Sequence, residues 1–492
     1  MRNSLESKYI SFCFIPIAFL FVLVYSSSTS PLYVWEGWDS DIFKEIGLAI
    51  TQGKLLYVDI FDHKGPNIFM LNALGQLIWP GRTGVFILQC LSLFITLVFL
   101  YKTARLFVNG GKSMIALVFS LVVLTGLYRG GNLCEEYVMA TNAIALFYAT
   151  KSICNLVGGG RIPYWYSIIY GFCFTWSFYF RPNDAVAFAG GIMVGTFAYL
   201  ACTKQIKSAL QSALCFVLTF IVLSIPFVVY FASKNALADY YYGLIKFNSI
   251  YTDGIVPMLK ACLGKKKLLF FFLFLTINVL AYTSGNKRML YILAPVSLFA
   301  WVLTGQNMYE HYAISYLPLI MLFIVFLFGQ KQISMVLLSL VIFYCSSVGG
   351  IDYIWGIRTC TAERIARIKD NDKDNRIFYN ECEKLVDRIP EQERNQVWNF
   401  NLFGGEYPLR SIFFHNGLVQ CNKVLIFSHY LLDPDLKKQD DIRLHRPKWL
   451  MLSHVFDDRF DSREDYAYIE SNYELVAQTN PEICNIELYR IK

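Results

Sequence analysis

Runs of apolar residues about the length of a membrane span recur along this chain, and nothing else constrains its fold as much. They cover 9–26, 83–101, 113–128, 136–150, 164–180, 184–202, 209–232, 268–283, 289–304, 312–329 and 333–348. A helix crosses a bilayer core with roughly 17–25 apolar residues, because lipid cannot satisfy an unpaired backbone group. The chain is 55% hydrophobic and only 16% charged, against about one quarter charged for a soluble domain. The expected architecture is an all-α polytopic membrane bundle of about eleven transmembrane helices. Residues 67–79 are apolar but short and suit a re-entrant or interfacial helix. The start, "MRNSLESK" before an apolar run, is shaped like a signal peptide, and with further spans behind it reads as an uncleaved anchor.

Charge divides the chain. Residues 349–492 hold 24 acidic and 20 basic residues, whereas 1–348 hold 13 and 24. This predicts a transmembrane domain over 1–348 and a smaller α/β extracytoplasmic domain over 349–492. In the latter, 361–389 reads as helix, and "KVLIF", "KWLMLS" and "IELYRI" read as strands. Lys102, Arg105, Lys112, Lys151, Arg161, Lys204, Lys207, Lys287, Arg288 and Lys331 fall on one side of the eleven spans, which the positive-inside rule makes cytoplasmic. Loop lysines and arginines thus account for the basic balance without nucleic acid. Lys265, Lys266 and Lys267 break the pattern at the outer end of a span. All the acids of 1–348 except Glu6 fall in outer loops or at outer span ends, which the orientation rule does not require and which marks a polar outer cavity.

The first outer loop, 29–66, is the densest in chemistry. Ile42, Phe43, Ile46 and Ile50 recur with a rough helical period, as in an amphipathic helix lying in the interface. Asp39 would stand at its N-terminus, where a carboxylate caps free N–H groups. "LLYVDIF" reads as an extended piece, "HKGP" as a turn, and Pro66 as the first residue of the next helix.

The stretch "DSDIFKEIGLAITQGKLLYVDIFDHKGPNIFMLNALG" resembles the first outer loop of GT-C glycosyltransferases related to the protein O-mannosyltransferases and lipid A aminoarabinose transferases. Those proteins have an acid soon after the first span, an amphipathic helix, and a Lys-Pro-Pro or His-Pro-Pro type turn, here Lys64-Gly65-Pro66. The resemblance implies transfer of a sugar from a polyprenyl-phosphate carrier to a glycan, lipid or protein acceptor on the outer face of the inner membrane, with inversion. By position it implies Asp39 as the catalytic base, with Phe43 and Glu45 in the family's aromatic and second acidic places. Ser40 stands where the family has another acid, which leaves Asp41 as a second candidate. Lys64 and Arg181 would face the lipid phosphate. His63, Glu136, His311 and Tyr312 would position sugar or acceptor. These last come from "YRGGNLCEEY", "FYFRPNDA" and "NMYEHYAISYLP", each at an outer span end.

A lipid-linked donor needs no Gly-rich phosphate loop, and "VGGGR" has no strand-to-helix context. No cofactor is required; no His/Cys spacing reads as a zinc site, while the outer carboxylates leave a divalent ion open. Cys360, Cys382, Cys421 and Cys484 allow three disulfide pairings in the outer domain. A lipid-linked sugar translocator and an O-antigen polymerase or ligase are the alternatives. The first needs polar groups through the whole bundle, and the second usually carries its large outer loop between spans.

Overall fold

The structure is a computed structural model that describes residues 2–34, 39–157, 162–251, 255–304, 309–348, 353–400, 412–426, 428–453 and 463–492. Glu36, Asp253, most of "VGGGR", the start of "NMYEHY" and nearly all of "NFNLFGGEYPLRS" lie outside the described residues, as do the side chains of Arg2, Glu6 and Lys8.

A helix occupies each of the eleven apolar runs. They are α1 (Arg2–Tyr25), then, beyond two short helices of the first loop, Thr83–Ala104, Gly110–Leu127, Cys134–Val157, Trp165–Phe178, Pro182–Cys202, Ile206–Ser233, Lys265–Thr283, Leu290–Leu303, Glu310–Leu327 and Ile333–Val348. Six of these are long and apolar enough to cross a membrane. In Ile206–Ser233 only 6% of the apolar stretch is buried inside the protein; its leucines and valines face outward, as suits contact with lipid. The chain is a multi-pass membrane protein. The long helices share one apolar core, in which Leu97, Leu146, Phe188, Ile277, Val296 and Met321 are fully or almost fully buried.

The two loop helices are α2 (Asp39–Thr51) and α3 (Pro66–Ile78). Pro66 does open α3, after Gly65 in extended backbone. The two pack closely at Gly47, where a Cβ would overlap the backbone and Cβ of Asn72. "LLYVDIF" is not extended. Tyr57 takes a left-handed φ of 69° and its N–H returns to the Ile60 carbonyl at 2.8 Å. The reason is tertiary: the Tyr57 ring is buried against Phe231 and Tyr240, and its hydroxyl donates to the Lys64 carbonyl.

The C-terminal segment carries one four-stranded sheet, order β1-β2-β4-β3, from β1 (Val397–Phe400), β2 (Trp449–Ser453), β3 (Tyr473–Gln478) and β4 (Ile486–Ile491). β1 and β2 are parallel and the other pairs antiparallel. "KWLMLS" and "IELYRI" are strands as expected. "KVLIF" is not: Val424 makes one isolated bridge to Phe61 of the first loop instead. The expected helix over 361–389 is two helices, Tyr353–Lys369 and Lys373–Val386. They break where Asn371 and Asp372 turn left-handed, with Asp372 accepting from Arg367 and from the amide of Val34. Lys267 is buried, with Nζ 3.0 Å from the Val302 carbonyl, so it serves helix packing while Lys265 and Lys266 stay exposed.

Candidate active site

The loop, the helix ends and the C-terminal segment meet at one end of the bundle. A second core joins them: Ile42, Phe43 and Ile46 of α2, Phe61 and Phe69, Phe180, Phe247, and Val424 and Leu425. Within it the "HKGP" turn lies directly on the chain at Tyr179–Phe180. Gly65 N–H donates to the Phe180 carbonyl at 3.3 Å and Asn67 N–H to that of Tyr179 at 2.9 Å. A Cβ on Gly65 would overlap the Tyr179 carbonyl oxygen, so glycine here sets how closely the turn seats.

A cavity of about 300 Å³ opens at this junction. Its polar lining is Asp39, Asp62, His63, Lys64, Arg129, Tyr309, His311, Tyr312 and His429; Ile42, Phe43, Leu133 and Ile426 complete it. Five of the eight residues singled out in the sequence therefore share one cavity: Asp39, His63, Lys64, His311 and Tyr312.

The other three do not line it. Asp41 is fully buried on another face of α2, in an ion pair of 2.6 Å with Lys44, whose Nζ also donates to the Ser28 carbonyl at 2.7 Å. Asp39, by contrast, makes no hydrogen bond or ion pair among the described residues. Glu136 is buried behind the cavity, accepting from Gln89 Nε2 and the Leu133 amide, both at 2.9 Å. Arg181 is partly buried between Glu135, with which it makes a close pair, and Asp184 at 3.3 Å. Its guanidinium sits 4.0 Å from the centre of the Tyr312 ring, so Tyr312 stands between it and the cavity. Glu45, the second acid of the loop pattern, accepts from the Gln420 amide at 3.2 Å and so ties α2 to the C-terminal segment.

Four polar lining residues were not singled out: Asp62, Arg129, Tyr309 and His429. Arg129 and Tyr309 lie inside "YRGGNLCEEY" and "NMYEHYAISYLP", and Asp62 stands beside His63, so the signal was local. His429 had none, because a single His in "SHYLL" reaches the site only through the fold. It packs against Phe61 and Phe247. The Lys64 ammonium lies 3.2 Å from His63 Nε2, which makes that nitrogen an acceptor. The proton then sits on Nδ1, which donates to His429 Nε2 at 3.0 Å. Burial, then Lys64, His429 and Arg181, hold His63 well below its ordinary pKa, so the imidazole is neutral. His311 Nδ1 is buried and has no hydrogen-bond partner among the described residues.

Asp62, His63 and His429 each turn one ligand atom toward the others, all within 4.8 Å. A carboxylate and two imidazoles suit a transition-metal cation such as zinc. The 3.0 Å between the two facing nitrogens is near the roughly 3.3 Å that two nitrogens span on a tetrahedral zinc. The set therefore fits a divalent ion that displaces the His63 proton.

The sequence matches no family model and no curated protein sequence. The backbone is more informative. ArnT from Cupriavidus metallidurans, solved bound to undecaprenyl phosphate, superposes with a TM-score of 0.59 at 10% identity over 97% of this chain and 97% of that one. The chain has the ArnT fold. Apo ArnT agrees, with the same score over 99% and 98%. AglB, an oligosaccharyltransferase from Archaeoglobus fulgidus, scores 0.45 at 12% identity over 91% and 69%, too low to bear on the fold. The resemblance read from about forty residues of one loop is thus matched by a likeness of fold over almost the whole backbone.

Proposed function

We propose that this chain is an integral-membrane glycosyltransferase. It moves a sugar from a polyprenyl-phosphate carrier to an envelope glycan, lipid or protein acceptor, on the outer face of the inner membrane and with inversion. The observation that carries this reading is the pairing inside one cavity of a carboxylate, Asp39, that makes no hydrogen bond or ion pair among the described residues, with the cations Lys64 and Arg129. Such a pair is what sugar transfer from a phosphate ester needs.

Asp39 takes the proton of the acceptor hydroxyl. The acceptor oxygen bonds to the anomeric carbon as the carbon–oxygen bond to phosphate breaks on the opposite face. The polyprenyl phosphate leaves as an anion, stabilised by Lys64 and Arg129. Arg129 is held beside the cavity by Glu310. His311 Nδ1 and the Tyr312 ring orient sugar or acceptor hydroxyls. Arg181 positions Tyr312 from behind. A divalent ion held by Asp62, His63 and His429 would add positive charge beside the phosphate, while the proton transfer and the displacement need only the side chains named.

Purified protein, a labelled polyprenyl-phosphate sugar and a cell-envelope acceptor extract test the proposal. The wild type should yield labelled acceptor, and Asp39→Asn should transfer about 10²–10⁴-fold more slowly, the usual worth of a general base, with donor binding largely kept. Full activity in Asp39→Asn would remove Asp39 as base. Lipid moved across proteoliposomes with no labelled acceptor would instead make the chain a translocator.

A further inference from the structure

Two cysteines far apart in the chain meet in the sheet-bearing C-terminal segment. Cys382 lies on the helix Lys373–Val386 and Cys484 in the turn before β4. Their sulfurs are 4.0 Å apart across 102 positions of sequence. Cys382 is 1% exposed, packed with Val386, Val397, Trp449 and Ile486. Cys484 is half-buried, in a turn held by its own amide to the Asn480 carbonyl at 3.0 Å.

The other two cysteines of this region are engaged elsewhere. Cys421 packs on the opposite side of the sheet, around Trp398. Cys360 faces the bundle, its sulfur 3.7 Å from the Thr125 carbonyl. None of the three complete pairings of the four cysteines is met: the geometry brings Cys382 and Cys484 together and keeps Cys360 and Cys421 apart from them. A disulfide needs about 2.0 Å between sulfurs, so bridging asks the two side chains to close by roughly 2 Å, and Cys484 lies in a half-exposed turn.

We propose that Cys382 and Cys484 form a disulfide that staples the helix Lys373–Val386 to the sheet at β4. The proposal rests on the reading that places this segment on the extracytoplasmic side, where disulfides persist. The oxidant is the disulfide of an extracytoplasmic thiol oxidase. The Cys484 thiolate attacks one sulfur of that disulfide, giving a mixed disulfide and one partner thiolate. Cys382, deprotonated, then attacks Cys484 Sγ and displaces the second partner thiolate. Two electrons have passed to the partner, now a dithiol, and two protons have left Cys382 and Cys484. Cys484 suits the first attack: it is the more exposed sulfur, and its thiol is drawn down to about 7, chiefly by the hydrogen bond with Cys382. The loop so closed contains β1, β2 and the stretch that brings His429 to the cavity, so the staple would hold a wall of the candidate site.

The test uses full-length protein in native membranes. Free thiols are blocked in denaturant, disulfides are then reduced, and newly exposed thiols are labelled with a polyethylene-glycol maleimide. The wild type should gain two labels per chain, and digestion without reduction should give a peptide joining Cys382 to Cys484. Cys484→Ser should gain none; Cys421→Ser should behave as the wild type. Reduction should lower the unfolding temperature of the wild type by roughly 5–15 °C and leave Cys484→Ser unmoved. Sidedness is read separately with Lys438→Cys, at an exposed position, labelled in intact cells by an impermeant maleimide. Labelling from outside together with free Cys382 and Cys484 overturns the disulfide alone. Lys438→Cys unreachable from outside overturns the topology and the disulfide with it.

Discussion

Asp39 and Asp41 stand two positions apart on α2, and about 100° per residue sets them roughly 200° apart around the helix. One therefore meets the cavity and the other the protein interior. The sequence shows both carboxylates but not which way α2 is rotated against its neighbours, so it could not choose between them; Lys44, the partner that decides, is three residues on. The consequence is two different failures. Asp39→Asn should lose transfer and keep its stability. Asp41→Asn leaves Lys44 buried without its anion, and breaking such a pair costs about 3–5 kcal/mol. Its expected signature is a lowered unfolding temperature in detergent, with near-normal turnover in whatever protein remains folded. Equal stability of the two variants would contradict this division. The same logic separates Lys64 from Arg181, two cations that look alike in sequence. Lys64→Ala should weaken polyprenyl-phosphate binding roughly 10–100-fold, the worth of one charge-assisted bond, without unfolding the protein. Arg181→Ala strands Glu135 and Asp184 together in the interior, so a fall in stability should precede any change in lipid affinity. Binding of fluorescent polyprenyl phosphate beside a melting curve reads both.

At the scale of elements, local signals in the sequence were sound where structure is local. Apolar runs became helices, Pro66 opened α3, and two of the three runs read as strands formed. Elements set by distant contacts were not legible. The run "LLYVDIF" folds back because Tyr57 has an aromatic pocket waiting, and "KVLIF" gives up its sheet to bridge Phe61. The "HKGP" turn shows both effects. Its residues announced a turn, but only the fold shows what the glycine is for. Gly65 lets Lys64 be carried against Tyr179–Phe180, one residue from Arg181. Gly65→Ala should push the turn off that chain while leaving the distant bundle core intact. The expected result is a drop of about tenfold or more in donor affinity, comparable to that of Lys64→Ala, with a small change in melting temperature. Unchanged donor binding in Gly65→Ala would mean that the seating of the turn does not position Lys64.

For the whole molecule, the cavity has meaning only if it faces the compartment where a lipid-linked donor is presented. Each of the eleven apolar runs is a helix, six of them long and apolar enough to cross a membrane; the eleven-span reading of the sequence expects the two ends of the chain on opposite sides. The loop 29–66 and the C-terminal segment must in any case share a side. They touch through the Phe61 amide and the Lys423 carbonyl at 2.8 Å, through Lys54 Nζ and the Gln420 carbonyl at 2.6 Å, and through His63 and His429. The sequence reading expects that shared side from its span count, although it cannot show that the two segments touch. Lysine and arginine bias then sets which side it is. Alkaline-phosphatase and fluorescent-protein fusions within 29–66, within 102–112 and after Lys492 should report outside, inside and outside. A fluorescent fusion after Lys492 with a silent phosphatase would place the C-terminal segment in the cytoplasm. Because the contacts above tie that segment to the loop, it would carry Asp39 and the cavity with it, away from the face at which the proposed transfer takes place.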